Sequence, residues 1–252
     1  MHAIAKYLSA TAIILMPAFA FAADAPAALT EAQQAEVKEL VRSLLTKEEP
    51  DLVIKAAHEA QSREEKDIAS QGQKALSTSR DKIFNDANAP VVGNVKGDVT
   101  MVEFFDYQCG YCKMAHEAIV KLMETDKNVK LIYKEFPILG EGSVQASRAA
   151  LASVRQNKYE AFHNALMATK AHLTEDIVLK VAKDTGLDLE KLKKDMDDES
   201  IEKIVKANLE LGSQIGARGT PTFVIGEQVY PGAMQYDQMK QAVDTARQNA
   251  KK

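Results

Sequence analysis

The 252 residues contain two cysteines, Cys109 and Cys112, in the string DYQCGYCKMA. A Cys-x-x-Cys pair between an apolar run and a helical pattern has the layout of a redox-active dithiol. At the start of a helix, free backbone N–H groups and the positive end of the dipole favour a sulfur anion. Cys109 is therefore the candidate nucleophile, expected to be the more exposed sulfur and to have a depressed pKa. Cys112, a turn deeper, is expected to be buried and to resolve a mixed disulfide. Gly110 keeps the turn open. Tyr111 adds no charge, so the thiolate should be less extreme than one beside a histidine.

Three other uses of such a pair compete with this one. A stabilising disulfide gains little from so small a ring: about 2 kcal/mol for four residues, against about 4.7 for a hundred, on the chain-entropy estimate. A zinc site needs four ligands, and only Cys109, Cys112 and His116 cluster in sequence. Covalent haem attachment needs histidine directly after the second cysteine, where Lys113 stands. The dithiol chemistry itself calls for no metal and no cofactor.

Two charged residues lie close by in pattern. Glu103 interrupts the apolar run six positions before Cys109, on the strand face opposite Val102 and Phe104. It is either a buried acid that relays protons to and from Cys112, or a solvent-facing glutamate; the pattern leaves both open. Lys134, in LIYKEF, reads as an ordinary exposed lysine, with a counter-charge to Glu103 as the alternative. Far along the chain, Thr220-Pro221 precedes the strand-like FVIG, and a proline belongs at the start of a strand.

These residues need a scaffold. Thr100 to Phe105 reads as a strand, Cys112 to about Thr125 as a helix, and Val129 to Phe136 as a second strand. From Ser143 to about Ile215 the pattern is helical, with breaks near Asn157, Leu173-Thr174 and Gly186 to Leu189. Thr222 to Val229 is a strand pair turning at Gly226-Glu227, and Tyr236 to Ala250 a terminal amphipathic helix. The order is βαβ, a helical block, then ββα. The first crossover implies parallel pairing and the last turn a hairpin. Asn85 to Asp98 reads as loop.

Upstream, residues 1–22 resemble a secretory signal, with Lys6, an apolar stretch and Ala20-Phe21-Ala22 as cleavage site; a membrane anchor is the alternative. Export places the cysteines where disulfides persist. A formal charge of −4 calls for neither nucleic acid nor an anionic membrane. After a short leader, Thr30 is an N-cap with Gln33 as its capping-box partner. Val37, Leu40, Val41, Leu44 and Leu45 form one helical stripe, which Pro50 stops. A second helix starts near Asp51, apolar at first and polar from Glu59 to Arg80. Residues 29–85 bury too little for a core of their own. Their apolar stripe is read as a self-association surface, with a hairpin folded onto its own domain as the alternative.

The motifs VEFFDYQCGYC, GTPTFVIG and Pro231-Gly232-Ala233 together resemble the DsbA-type thiol:disulfide oxidoreductases, over about Val91 to the C-terminus. The N-terminal helices further resemble the surface-antigen-like subgroup and the ScsC and DsbC-like isomerases, which carry an oligomerisation region. The resemblance implies an α/β thioredoxin fold with an inserted helical domain (about 141–215) in a catalytic domain at 88–252, preceded by an α-helical extension at 23–87. A chain starting near Ala87 would then be monomeric and keep its dithiol chemistry. It makes Cys109 the attacking and Cys112 the resolving sulfur of a redox-active disulfide, and Glu103 the family's buried acid. Pro221 becomes the cis-proline facing the dithiol. Thr220 pairs its backbone with an extended substrate, and Gly110 and Tyr111 are further substrate contacts. Implied partners are unfolded or misoxidised secreted proteins, a second copy of the chain, and a membrane redox partner of DsbB or DsbD type. Cys-Gly-Tyr-Cys and the threonine before Pro221 both depart from the strongest oxidases and lean towards isomerisation. The competing reading is a non-catalytic envelope protein with a vestigial dithiol.

Overall fold

A computed structural model of the chain describes residues 29–250. The signal-like residues 1–22 and most of the leader after them lie outside the described residues. Thr30 caps the first helix as its spacing to Gln33 predicts. The Gln33 N–H donates to the threonine hydroxyl at 3.4 Å, and Gln33 Oε1 accepts from the Thr30 N–H at 2.9 Å. Helix α1 (Glu31–Ser43) runs into a π-helical turn (Leu44–Glu48), the chain breaks around Pro50, and α2 (Leu52–Thr78) follows.

The chain divides into two compact units between Glu59 and Ala60, inside α2. In the first unit, α1 and the π-helical turn bury no residue. Val37, Leu40, Val41 and Leu44 of the apolar stripe are exposed, as are Val53 and Ile54 on the first turn of α2.

The second unit is built on a five-stranded sheet. Its strands are β1 (Val91–Gly93), β2 (Val99–Phe105), β3 (Val129–Glu135), β4 (Thr222–Ile225) and β5 (Gln228–Pro231), in the order β1-β3-β2-β4-β5. The β2–β3 pair is parallel, as a helical crossover requires, and the other pairs are antiparallel. The crossover is α4 (Gly110–Thr125). Both faces of β2 are covered, which explains why it carries apolar residues on both. Met101 and Phe105 face one core with Ile119 and Leu122 of α4 and with Met239 and Val243 of α10 (Tyr236–Asn249). Val102 and Phe104 face the other core.

The helical block comprises α5 (Glu141–Ser153), α6 (Tyr159–Ala168), α7 (Glu175–Asp184), α8 (Leu189–Met196) and α9 (Glu199–Gln214). The expected breaks are present. Asn157 takes a left-handed φ of 54°, Thr174 caps α7, and Gly186 has a φ of 78°. A further break, unmarked by glycine or proline, separates α8 from α9. There the Asp198 carboxylate accepts from the Ser200 N–H at 2.8 Å and caps α9.

Two features differ from the sequence reading. Residues 91–93, read as loop, pair antiparallel with β3; three residues are too few for alternation to show. The expected start of the catalytic domain at residue 88 leaves part of a core behind it. Leu76 of α2, and Ile83 and Phe84 of α3 (Arg80–Phe84), pack with Val102, Phe104 and Ile132 beneath the sheet. These few large side chains are spread among polar neighbours. They make no stripe, yet each lands on the sheet.

Candidate active site

Cys109 is the N-cap residue of α4, in extended backbone conformation (φ −74°, ψ 115°). Its own N–H donates to the Asp106 carbonyl at 3.1 Å, and its carbonyl accepts from the Lys113 N–H at 3.2 Å. The two thiols are unbridged. Cys109 is 7% exposed and Cys112 wholly buried, the expected order. The Cys109 thiol donates to the Thr220 carbonyl at 3.2 Å, which brings the Thr220-Pro221 loop against the sulfur. The Thr220–Pro221 peptide is cis.

The pKa of Cys109 is lowered to about 5. Hydrogen bonding from Cys112 is the main cause, with further help from the Thr220 side chain and from the backbone N–H groups of Cys112 and Tyr111, against a burial effect that raises it. Cys112 moves the other way, raised by burial first, then by its bond to Cys109 and the nearby Glu103 charge. One sulfur is thus poised as an anion and its neighbour held as a thiol. Tyr111, 65% exposed, stands at the mouth. A side chain at Gly110 would meet nothing, so the fold does not require glycine there.

Glu103 is fully buried, with neither carboxylate oxygen hydrogen-bonded to protein. It lies on the β2 face that α4 covers, on the dithiol side. Burial pushes its pKa well up, with the charges of Glu135 and Cys109 adding. The solvent-facing alternative for Glu103 therefore does not hold.

Both readings of Lys134 also fail. It pairs across the parallel ladder with Phe104, so it points to the opposite face from Glu103. There it is buried and binds the Asp86 carboxylate at 2.5 Å.

The acid that does share the Glu103 face is Glu135, which pairs with Phe105 in the ladder and is fully buried. Its Oε1 accepts from the hydroxyls of Tyr159 (2.9 Å) and Tyr107 (3.2 Å), and Tyr107 also lies 3.0 Å from His163 Nδ1. Burial raises the Glu135 pKa to about 8, partly offset by these donors. Period-two alternation along LIYKEF could have found Glu135, since Tyr133 and Glu135 share one parity and Lys134 has the other. Tyr159 and His163 come from α6 and carried no local signal.

Asp106, also missed, is buried, and its carboxylate accepts four hydrogen bonds. They come from the N–H groups of Gln108 (2.7 Å), Ile138 (2.8 Å) and Leu139 (2.9 Å) and from the Ser143 hydroxyl (2.7 Å). Gln108 bridges the same gap, accepting from the Leu173 N–H at 3.1 Å and donating to Ser143 at 3.2 Å. Lys113 Nζ donates to the Thr169 carbonyl. The dithiol loop is thereby tied to the helical block. Cys109, Cys112, Glu103, Thr220 and Pro221 converge, with Gly110 and Tyr111 at the rim.

A parallel strand–helix–strand unit with Cys-x-x-Cys at the helix start, faced by a cis-proline loop, defines a thioredoxin-fold protein built for thiol–disulfide exchange. Residues 100–244 match the DSBA-like thioredoxin domain, and the chain belongs to that family of disulfide-handling oxidoreductases. A thioredoxin-like oxidoreductase from Silicibacter pomeroyi DSS-3 is 48% identical, with 67% of this chain and 98% of that chain covered and a TM-score of 0.66. A linker-deletion mutant of ScsC from Proteus mirabilis is 33% identical, over 90% of this chain and all of that one, with a TM-score of 0.66. Disulfide bond formation protein D of Bacillus subtilis is 26% identical over 167 residues, which is 62% of this chain and 75% of that protein. The chain spans 24% of the length of the first curated relatives it matches, Na(+)/H(+) antiporters of Salinispora.

Proposed function

We propose that the protein is an exported thiol:disulfide oxidoreductase that forms and isomerises disulfide bonds in envelope proteins. The observation that carries this is the Cys109 sulfur, lowered to a pKa of about 5 at a helix N-terminus, over a buried partner thiol and against the Thr220 carbonyl. In oxidation, a client thiolate attacks Sγ of Cys109 in the Cys109–Cys112 bridge. That bridge breaks, a mixed disulfide forms, and Cys112 leaves as a thiolate that takes a proton from Glu103. A second client thiolate then attacks the client sulfur of the mixed disulfide and releases Cys109 as a thiolate. Two electrons have passed to the protein, one proton has moved within it from Glu103 to Cys112, and the client gains a disulfide. Isomerisation starts from the reduced site: the Cys109 thiolate attacks a client disulfide, the freed client thiolate attacks a second client disulfide, and the thiolate this releases attacks the client sulfur of the mixed disulfide and frees Cys109. When rearrangement stalls, Cys112 gives its proton to Glu103 and resolves the trapped complex.

Three features support a share of isomerisation: the uncharged Gly110-Tyr111 pair, the threonine before Pro221, and the exposed apolar stripe on α1 and α2. That stripe fits a second copy of the chain, so that two or more dithiols serve one client. The signal-like leader supports export, and a membrane thiol oxidase or reductase would then reset the site. Changing Cys109 to Ser is expected to abolish insulin reduction and refolding of scrambled ribonuclease; either activity surviving would reject the catalytic assignment. A measured potential between about −270 and −120 mV is expected, whereas one below about −300 mV would favour a structural bridge.

A further inference from the structure

We propose that the second half of α2 is one wall of a client groove that opens at the cis-proline loop and takes an extended, apolar stretch of polypeptide. The proposal rests on Cys109 as the attacking sulfur. It gives residues that read as part of an oligomerisation arm a place in substrate recognition.

The helix is held there by backbone contact. A Cβ on Gly72 would lie 2.5 Å from the Ile215 carbonyl oxygen, so only glycine allows this approach. Next to it, a Cβ on Gly216, whose φ is +81°, would lie 2.9 Å from Ile68 Cγ2. Arg218 binds Glu64 at 2.8 Å, and Gln73 Nε2 donates to the Glu227 carbonyl at 3.0 Å. These contacts fix α2 both to the segment that leads into Thr220-Pro221 and to the β4–β5 turn.

Between α2 and β5 lies a groove of about 600 Å³. Ile68 and Ala69 line one side, Val229 and Pro231 the other, and Thr220 and Pro221 close one end. β5 is the last strand of the sheet, so among the described residues its outer edge has no strand partner. Continuity with the dithiol decides the occupant. The Thr220 carbonyl lies 3.2 Å from the Cys109 sulfur, so a client sulfur bonded to Cys109 would sit beside this loop. The client residues next to its cysteine are thereby delivered to the groove. A free strand edge offers main-chain hydrogen bonds to an extended chain, and an apolar wall takes alternate side chains.

The test compares reduction of three disulfides by the full-length reduced protein: oxidised glutathione, and cysteine-peptide mixed disulfides flanked by Val/Phe or by Gly/Ser. The parent is expected to prefer the Val/Phe peptide. Ala69 is exposed, so Ala69→Glu spares the fold while putting a charge in the groove. In Ala69→Glu that preference should fall by about tenfold, the size of an interface anchor lost. Val95→Glu, at an exposed position after β1, should keep the parent's preference. An undiminished preference in Ala69→Glu, or none in the parent, would overturn the groove. A parent that exchanges with none of the three, glutathione included, would instead overturn the oxidoreductase reading beneath it.

Discussion

A thiol that ionises near pH 5 is an anion throughout the neutral range, and this has a thermodynamic signature. The folded-state pKa of Cys109 lies below the ordinary thiol value of 9.0. Its contribution to the reduced fold is therefore complete above about pH 9 and lost as pH falls through 5. Reduced parent should gain stability over Cys109→Ser from pH 5 to 9, and thiolate absorbance at 240 nm should titrate with a midpoint near 5. A midpoint near 9.0 would mean an ordinary cysteine. Glu135 has the opposite sign. Its folded pKa, about 8, lies above the ordinary 4.5, so it costs stability progressively as pH rises across that interval. In oxidised protein, where no thiol titrates, Glu135→Gln should gain on the parent in urea unfolding between pH 5 and 8; a difference flat in pH would contradict this. The sequence showed the sulfurs plainly, because two cysteines at helix spacing have few uses. It showed the acids poorly. The charges of Glu103 and Lys134 say nothing of burial, which is set by strand parity and by which helix covers each face. Asp106 carried no signal, since its four donors are two to thirty-seven positions away in sequence.

Among the elements, α2 and α3 carry the clearest consequence. Leu76, Ile83 and Phe84 fill one face of the sheet, so the catalytic unit extends well before residue 88. A chain beginning at Ala60 should unfold cooperatively with a melting temperature close to that of the full protein. One beginning at Ala87 loses three large buried side chains, worth about 1.5–3 kcal/mol each in transfer terms. It should melt far lower or fail to fold, which a thermal scan by circular dichroism would decide. Equal melting of the two truncations would show these contacts to be dispensable. The strands and helices of residues 99–250 were legible because periodicity and turn residues agree there. The boundary was not, since a long polar helix can be half arm and half domain without any change in composition.

At the scale of the molecule, the apolar residues left in water on the first unit call for a partner. Leu40 is 63% and Ile54 56% exposed, on an arm with no core of its own. The protein should sediment as a dimer or larger, and Leu40→Glu with Ile54→Glu should shift it to monomer while sparing the Cys109 titration. A parent that sediments as a monomer at high concentration would remove the oligomeric support for isomerisation. The catalytic unit has a constraint of another kind. One carboxylate, on Asp106, gathers donors from the loop before Cys109 and from the first residues of the helical block. The block is therefore no interchangeable lid. A cap transplanted from a relative would arrive with its own entry loop. Unless that loop offered a hydroxyl and two amides in the same places, the graft would leave Asp106 buried beside the reactive sulfur with only the Gln108 amide.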